Sequence, residues 1–238
     1  MVIMGLIVLL VLRFYHMPHR FKAILFDLDG TIIDSADDLQ ATMNVILGQE
    51  NRRPISLDEM KACTGDGLQT MLEKAMRLTG NPVDSAHIEH LMPRFLSVYE
   101  GVEAKPECIY PDMLEFIRAE HAQGTKLAVI TNKHEAAARR IMKQLNLAKY
   151  FDVILGGDSL PQRKPHPLPI LHTLHELNVA QDDAVMIGDS PNDALSARDA
   201  GISSIILRYG YNHDWPEGLQ PTAYANHVQE CRVALQLI

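Results

Sequence analysis

The sequence has little cysteine, and no two cysteines stand close together. Cys63, Cys108 and Cys231 are the three cysteines among 238 residues. Their odd number and wide spacing predict neither a disulfide framework nor a structural zinc site, since both need cysteines at characteristic spacings. Free thiols are typical of proteins in a reducing compartment, and we therefore expect a cytoplasmic protein.

The sequence also has no long run of basic residues. Its formal net charge is −8, and its longest basic runs are pairs, such as Arg52-Arg53 and Arg139-Arg140. Proteins that bind nucleic acid usually present a clustered cationic surface, so we expect no nucleic-acid partner. A small phosphorylated metabolite is compatible with this charge, because it needs only a local cationic pocket and a metal ion. Composition leaves the choice between monomer and homodimer open.

One long apolar run is present, but it is too short to cross a membrane. Residues 1–12 are apolar apart from one glycine, and the run stops at Arg13. A transmembrane helix needs about 20 apolar residues, and a signal peptide needs a preceding basic stretch and a small-residue cleavage site. We expect residues 1–16 to be an extension outside the fold, with an added strand or an interfacial anchor as alternatives.

The rest of the chain alternates between apolar runs and helical patterns. The hydrophobic share of 47% is typical of a globular protein and excludes the disordered and fibrous classes. Strands are predicted at 21–26, 127–130, 153–155, 184–187 and 204–207, and helices at 111–122, 134–145, 167–177 and 192–200. Such alternation predicts an α/β fold, a Rossmann-like doubly wound parallel sheet that binds ligands beyond the carboxyl ends of its strands.

The stretch 35–105 contains no convincing strand and several amphipathic helical patterns. We expect it to form a helical cap domain inserted into an α/β core made of 17–34 and 106–238. Ser56 to Glu59 has the form of a capping box, which predicts a helix start there. Pro93 interrupts a helical pattern and predicts a kink or break.

Two carboxylates stand two residues apart at the end of the first predicted strand. Burying Asp27 and Asp29 together is unfavourable unless a cation neutralises them, and hard oxygen ligands favour Mg²⁺. The alternative is a calcium loop of the EF-hand type or a solvated turn. An EF-hand would need an acidic or amide side chain and then glycine where Thr31 and Ile32 stand.

Four motifs at strand ends resemble those of the haloacid dehalogenase-like superfamily. They are Asp27-Leu28-Asp29-Gly30-Thr31, then Thr131 in VITNK, Lys164 in RKPHP, and finally Gly188-Asp189-Ser190-Pro191-Asn192-Asp193. The resemblance covers about residues 21–207, and the segment 35–105 takes the place of that family's type-1 cap.

The resemblance implies a phosphatase mechanism for the two aspartates. Asp27 would attack the phosphoryl group and form an aspartyl-phosphate, a known type of carboxylate nucleophile. Asp29 would protonate the leaving alcohol and then deprotonate the hydrolytic water. Mg²⁺ would be held by the Asp27 carboxylate, the Asp29 main-chain carbonyl and Asp189, and would damp the repulsion between the nucleophile and the phosphoryl oxygens.

The resemblance also implies roles for four residues around the phosphoryl group. Thr131 and the adjacent Asn132 amide would hydrogen-bond phosphoryl oxygens, and Lys164 would neutralise their charge in the transition state. Asp193 would support the metal or orient Lys164. Structural alternatives are that Thr131 caps the following helix, that Lys164 is a solvated loop lysine, and that Asp193 is a helix N-terminal residue favoured by the dipole.

The substrate is expected to be chosen by the cap. Gly65, Asp66 and Gly67 precede a predicted helix and could present backbone N–H groups to an anion, although they could also form a plain turn. Lys61 is the next candidate for this role.

Within the superfamily, the sequence most resembles bacterial phosphoglycolate phosphatases. The resemblance rests on the cap type, the Gly65-Asp66-Gly67 segment, and the sequences KPHPLP and RYGYN. Alternatives are a phosphatase for another sugar, amino-sugar or nucleotide phosphate, and a β-phosphoglucomutase-like isomerase. A phosphonatase is disfavoured because that branch lacks the second aspartate. Alternatives from other classes are a silent phosphate-binding regulator, which would normally have lost one motif residue, and an interaction module anchored by its apolar N-terminus.

Overall fold

The computed structural model describes residues 19–211 and 214–238, and its strands confirm the predicted order. Six strands form one sheet, and all the paired strands are parallel. The strands are β1 (Ala23–Phe26), β2 (Lys126–Ile130), β3 (Val153–Leu155), β4 (Ala184–Gly188), β5 (Ser203–Leu207) and β6 (Ala223–Ala225). The expected residues 1–16 extension lies outside the described residues.

The helices between the strands occupy the predicted positions, whereas a helix after the last strand was not predicted. Five helices lie between β1 and β2, and the first four are α1 (Ala36–Gln49), α2 (Leu57–Cys63), α3 (Leu68–Thr79) and α4 (Ser85–Glu100). The others are α5 (Met113–Ala122), α6 (Glu135–Gln144), α7 (Leu168–Leu177), α8 (Pro191–Asp199) and α9 (Val228–Leu237). Short 3₁₀ turns occur at Pro106–Cys108, Ala148–Tyr150 and Gln181–Asp183.

The sheet order is β3-β2-β1-β4-β5-β6, which places β1 in the middle. All four residues of β1 are buried. Because side chains alternate across a strand, Ile24 and Phe26 pack into one apolar cluster, and Ala23 and Leu25 into another on the opposite face. Helices cover both faces, so the predicted doubly wound α/β fold is confirmed. The chain reverses its direction of travel across the sheet between β1 and β4, which is where such folds bind ligands.

The segment between β1 and β2 packs largely on itself through α1 to α4. The predicted capping box is confirmed, because the Ser56 hydroxyl accepts from the Glu59 N–H and the Glu59 carboxylate accepts from the Ser56 N–H. The predicted break at Pro93 is wrong, since α4 continues through it. Burial of Leu91 and Phe95 on either side of the proline stabilises the helix against the lost hydrogen bond.

Strand β6 was not predicted. Its sequence is Ala-Tyr-Ala, and Tyr224 is exposed, so no apolar run marks it. It pairs in parallel with β5, whose backbone groups would otherwise be an open edge of the sheet. Within residues 19–211 and 214–238, no helix has both the length and the apolar character needed to cross a membrane.

Candidate active site

Polar side chains from four stretches of the chain converge at the carboxyl edge of the sheet. Asp27 and Asp29 follow β1, Thr131 follows β2, and Asp189 follows β4. Lys164 comes from the loop before α7 and reaches the Asp27 carboxylate at 3.0 Å. The fold therefore brings together the residues that the four sequence motifs single out.

Asp27 lies at the floor of the site next to a buried lysine. Its Oδ1 accepts from the Leu28 N–H at 2.7 Å and lies 3.0 Å from Lys164 Nζ. Burial raises the pKa of the Asp27 carboxyl to about 7; Lys164 opposes this shift, while the negative charges of Asp193 and Asp189 add to it. The site thus holds more negative charge than its lysine compensates.

Lys164 is held between two carboxylates. Its Nζ lies 2.6 Å from Asp193 Oδ1, and its side chain is 1% exposed. Burial alone would lower the pKa of this ammonium, but Asp193 and Asp27 outweigh that effect and raise it. The alternative of a solvated loop lysine is therefore wrong. Asp193 also caps its own helix, since its Oδ2 accepts from the Ser190 N–H at 3.0 Å and the Ser190 hydroxyl at 2.6 Å.

Asp189 is fixed from both sides of the site. Its Oδ1 accepts from the Thr31 hydroxyl at 3.1 Å, and its Oδ2 accepts from the Tyr211 N–H at 2.9 Å. A Cβ atom at Gly30 or Gly210 would lie within 2.5 Å of this carboxylate. Glycine at both positions is what lets the backbone approach the aspartate so closely.

Three buried carboxylates form a cluster suited to a metal ion. Asp27, Asp189 and Asp193 each offer an oxygen within 4.8 Å of the others. One ammonium, that of Lys164, faces these three negative charges, and the donors are hard oxygens of the kind that Mg²⁺ prefers. The residues present therefore fit a divalent cation. Asp193 Oδ1 accepts from Lys164 at 2.6 Å, and whether Asp193 also contacts the metal stays a prediction.

Asp29 is held by a second buried lysine that no sequence pattern pointed to. Lys133 Nζ lies 3.0 Å from both carboxylate oxygens of Asp29, and the Ser35 hydroxyl donates to Oδ1. The Lys133 ammonium also lies 4.8 Å from the ring centroid of Tyr99, which belongs to α4. Burial alone would lower the pKa of Lys133, but Asp29 and Tyr99 outweigh it and raise the pKa, so the side chain is charged at neutral pH.

Thr131 and Asn132 form the turn between β2 and α6. Thr131 is buried, and its hydroxyl accepts from the Lys133 N–H at 3.2 Å. The alternative of Thr131 as a helix cap is wrong, because α6 begins after His134. The Asn132 side chain donates to the carbonyls of Gly65 at 2.9 Å and Lys164 at 2.8 Å, which leaves its main-chain amide for the predicted phosphoryl contact.

The segment 65–67, which precedes α3, contacts Asn192 of α8. Asn192 donates to the Gly65 carbonyl at 3.2 Å and to the Asp66 carboxylate at 2.7 Å. Asp66 also pairs with Lys74 at 2.7 Å, so its side chain is turned toward protein partners. Gly67 has a φ of +88° and is the residue before the first turn of α3. The predicted substrate contacts of these three residues stay a prediction.

Gly65 and Gly67 do line a cavity above the motif residues. Asp27, Asp29, Thr131, Asn132, Lys133 and His134 line its core side. The lining contributed by α1, α3 and α4 is mainly apolar: Leu39, Leu68, Met71, Phe95, Leu96 and Tyr99. Lys61 is not part of this lining and lies 3.9 Å from Asp34 at the entrance of α1. The cavity thus combines a charged floor with an apolar roof.

Sequence reasoning missed three residues that shape the site. Lys133 follows Thr131 and Asn132 directly, and its place next to a recognised motif could have identified it as a site residue. Ser35 is the residue that precedes α1, and its hydroxyl contact with Asp29 depends on how the chain turns back. The Tyr211 hydroxyl accepts from the Ser35 N–H at 2.9 Å. The two residues are 176 positions apart in the sequence, so no local pattern could indicate this contact.

Relatives of known name align with most of the chain. A phosphoglycolate phosphatase of Nitrosospira multiformis is 35% identical over 199 residues, which is 83% of this chain and 87% of the relative. Phosphoglycolate phosphatases of Colwellia psychrerythraea and Cereibacter sphaeroides are 35% and 36% identical, over 81% and 80% of this chain and 86% of each relative.

Solved structures share the fold. A crystal structure from Haemophilus somnus, described as a predicted phosphoglycolate phosphatase, superposes with a TM-score of 0.79 at 29% identity, over 87% of this chain and 95% of that one. A β-phosphoglucomutase from Clostridium difficile superposes with a TM-score of 0.74 at 16% identity, over 90% of this chain and 97% of that one, which shows the fold alone.

The family assignment rests on the whole length of the core. The sequence profile of haloacid dehalogenase-like hydrolases matches residues 24–207, which run from β1 to the end of β5. All four motifs and the helices above them lie within that range. The chain belongs to the haloacid dehalogenase-like hydrolase family.

Proposed function

We propose that this hydrolase is a Mg²⁺-dependent phosphatase that converts 2-phosphoglycolate to glycolate and phosphate. The observation that carries the proposal is the Asp27 carboxylate, fixed 3.0 Å from the Lys164 ammonium at the floor of a cavity that Asp29 also lines. A nucleophile, a charge-neutralising cation and an acid/base group thus face one space. The names of the relatives from Nitrosospira, Colwellia and Cereibacter support the choice of substrate.

Asp27 is positioned to act as the nucleophile. Leu28 N–H and Lys164 both contact its Oδ1, and this fixes the carboxylate plane. In the first step an Asp27 oxygen bonds to phosphorus while the bond from phosphorus to the leaving oxygen breaks. Asp29, protonated when the ester is bound, gives its proton to that oxygen and so ends the step as the carboxylate that pairs with Lys133. In the second step water attacks the aspartyl-phosphate, Asp29 takes a proton from the water, and Asp27 is released with inorganic phosphate.

The Asp27 and Asp189 carboxylates and the Asp29 main-chain carbonyl would hold Mg²⁺. The metal supplies Lewis-acid neutralisation of the phosphoryl oxygens. Thr131, with a buried hydroxyl beside the site, and the main-chain amide of Asn132 orient those oxygens. Lys164 balances their charge from beneath, where its contact with Asp193 holds it.

We infer that residues 35–105 form a cap domain over a core domain made of residues 17–34 and 106–238. Its helices supply the apolar roof of the cavity, and its Gly65 carbonyl accepts hydrogen bonds from Asn132 and Asn192 of the core. A cap held in this way excludes water from the reacting groups and surrounds the leaving alcohol. The three unpaired cysteines favour a cytoplasmic enzyme that acts on a small metabolite as a monomer or homodimer.

The test is a screen of purified enzyme with Mg²⁺ against a panel of phosphomonoesters. The panel includes phosphoglycolate, sugar and amino-sugar phosphates, nucleotides and β-glucose 1-phosphate, and an Asp27→Asn variant is the control for contaminating phosphatase. We expect the highest kcat/KM for phosphoglycolate and no turnover by the variant. Faster turnover of another ester would reassign the substrate, and formation of glucose 6-phosphate without phosphate release would make the enzyme an isomerase.

A further inference from the structure

The cavity contains one cation that the phosphoryl chemistry does not use. Lys164 lies behind Asp27 and is committed to Asp27 and Asp193. Among the cavity-lining residues in the described part of the chain, Lys133 and His134 carry the basic groups. His134 pairs with Asp158 at 3.0 Å at the surface. Lys133 also pairs with Asp29, but it lines the cavity beside that carboxylate and so lies next to any leaving group that Asp29 contacts.

The position of Lys133 matches the leaving-group side of the cavity. Its Nζ is 3.0 Å from the Asp29 carboxylate, which under the proposed function contacts the leaving oxygen. In glycolate the carboxyl carbon is two bonds from that oxygen. A carboxylate bound next to Asp29 would consequently fall within reach of the same ammonium.

The surroundings make this ammonium the favoured partner for a substrate anion. The lining above Lys133 is largely apolar, with Phe95 and Leu96 from α4 and Leu68 from α3. An anion moved from water into such surroundings loses its hydration, and a nearby charged donor must compensate. The Lys133 side chain is 7% exposed, so solvent screens its charge little.

Protein contacts hold Lys133 in place for this role. The Tyr99 ring lies 4.8 Å from its Nζ. Arg140 in turn donates to the Tyr99 carbonyl at 2.9 Å, which fixes the end of α4 against α6. Lys133 thus has a carboxylate on one side and a fixed aromatic ring on the other, and a second carboxylate can approach from the cavity.

We propose that Lys133 is the specificity residue that binds a carboxylate on the leaving group. This inference rests on the proposed phosphatase function and adds the group that selects an acid-bearing alcohol. Lys133 also neutralises Asp29, so its loss alters the acid/base partner as well. A test must therefore separate recognition of the substrate carboxylate from general damage to turnover.

To separate these two effects, we compare two phosphate esters that differ only in the group at the end of the leaving alcohol. One is 2-phosphoglycolate, and the other is 2-phosphoglycolamide, in which a neutral amide replaces the carboxylate. The wild-type enzyme should prefer phosphoglycolate in kcat/KM. Lys133→Met should reduce that preference by about 10- to 100-fold, the range for loss of a hydrogen bond to a charged group. Lys133→Arg, which keeps the charge, should keep most of the preference.

Product inhibition gives a readout that damage to Asp29 alone would not produce. The inhibition constant of glycolate should rise in Lys133→Met, while that of inorganic phosphate, which binds the core groups, should stay unchanged. The matched control is Lys143→Met, an exposed lysine of α6. It should match the wild-type enzyme in both measurements, and thermal melting verifies that each variant is folded.

Three outcomes would overturn this proposal and leave the proposed phosphatase function standing. A wild-type enzyme with equal kcat/KM for the two esters needs no carboxylate reader, and this result does not depend on any variant folding. Equal loss on both esters in Lys133→Met would leave Lys133 as a positioning residue for Asp29. A change of preference in Lys61→Met but not in Lys133→Met would move the reader to Lys61. Absence of turnover with every phosphomonoester in the panel would instead refute the proposed function, and the inference with it.

Discussion

The Lys164 ammonium lies 2.6 Å from Oδ1 of Asp193 in a site where both side chains are almost completely buried. The other oxygen of Asp193 accepts hydrogen bonds from the main chain of Asp189 and Ser190. One carboxylate therefore fixes both the lysine beneath the nucleophile and the loop that carries a predicted metal ligand. Removing its charge should affect stability and chemistry together.

Asp193→Asn should lower the free energy of unfolding by about 3 kcal/mol, because the buried Lys164 ammonium loses the nearer of its two carboxylate partners. In either orientation the amide nitrogen would also face a donor, the Lys164 ammonium or the Ser190 N–H, where an acceptor is needed. Urea denaturation at pH 7 in EDTA measures the change. Asp199→Asn, at the exposed end of the same helix, is the matched control and should change stability by less than about 0.5 kcal/mol. Equal effects of the two substitutions would contradict the role assigned to Asp193.

The metal-free protein should lose stability as pH rises, because burial raises the pKa of Asp27 from 3.8 to about 7. Between these values the unfolded chain has lost the Asp27 proton and the folded protein keeps it, so stability falls with rising pH. At about 1.4 kcal/mol per pKa unit, the loss is on the order of a few kcal/mol.

Thermal melts in EDTA from pH 4 to pH 8 measure this effect. Asp27→Asn has no carboxyl to ionise, so its melting temperature should fall less than that of the wild-type protein. Asp182→Asn, an exposed aspartate, controls for the change in net charge. Parallel curves for the wild-type protein and Asp27→Asn would show that Asp27 does not carry the raised pKa.

Removal of the metal should abolish activity. Three buried carboxylates face a single ammonium, so the cluster binds phosphate poorly without a cation. EDTA should stop turnover and Mg²⁺ should restore it, whereas Ca²⁺ should substitute poorly because its larger, looser coordination shell misplaces the nucleophile. Turnover that persists in chelator, with metal content measured, would refute the requirement.

Asp29→Asn should slow turnover according to how much the leaving group needs a proton. General acid/base catalysis contributes about 10²- to 10⁴-fold, and phosphoglycolate should lose that much. With p-nitrophenyl phosphate, whose leaving group needs no proton, transfer to Asp27 should continue and hydrolysis of the aspartyl-phosphate should become limiting. Rapid-quench measurement should then show a burst of nitrophenolate. Wild-type rates with phosphoglycolate would remove the acid/base role from Asp29.

The fold and the core of the site could be predicted because their signals are local in sequence. Each central strand is a compact apolar run that ends in the polar residues of a motif, as Phe26 is followed by Asp27. Since parallel strands carry their carboxyl ends to one edge, the approach of Asp27 to Asp189 followed from topology. Strand β6 was not predicted because its sequence has no apolar run, and only its pairing with β5 identifies it as a strand.

The cap side of the site could not be predicted because it depends on side-chain direction across distant segments. Nothing in the sequence indicates that Tyr99 of α4 lies over Lys133, or that Tyr211 reaches Ser35. The segment Gly65 to Gly67 was recognised as a feature, but its glycines are equally typical of a turn. Its hydrogen bonds to Asn132 and Asn192 depend on how the helical segment packs on the sheet.

Gly67→Val tests whether that segment helps to read the substrate carboxylate. Gly67 has a φ of +88° and a ψ of 169°, a conformation found almost only in glycine, and a Cβ there would lie 3.3 Å from the Asn132 carbonyl. Valine should therefore displace the start of α3 from the cavity, where under this hypothesis backbone donors and the helix dipole would face the substrate carboxylate. We expect kcat/KM for phosphoglycolate to fall about tenfold more than for p-nitrophenyl phosphate, which corresponds to about 1.4 kcal/mol.

The control for Gly67→Val is Gly48→Val in α1, because a Cβ at Gly48 meets nothing within 4 Å and the backbone there is helical. For Gly48→Val, the ratio of kcat/KM for phosphoglycolate to kcat/KM for p-nitrophenyl phosphate should equal that of the wild-type enzyme. If Gly67→Val slows both substrates equally, the segment serves only as a turn that seats the cap on the core. The substrate carboxylate would then be bound by residues on the floor of the cavity. Comparing phosphoglycolate with phosphoglycolamide in Lys133→Met decides whether Lys133 binds it. If neither substrate is affected, close approach of this backbone to the ligand is not needed for catalysis.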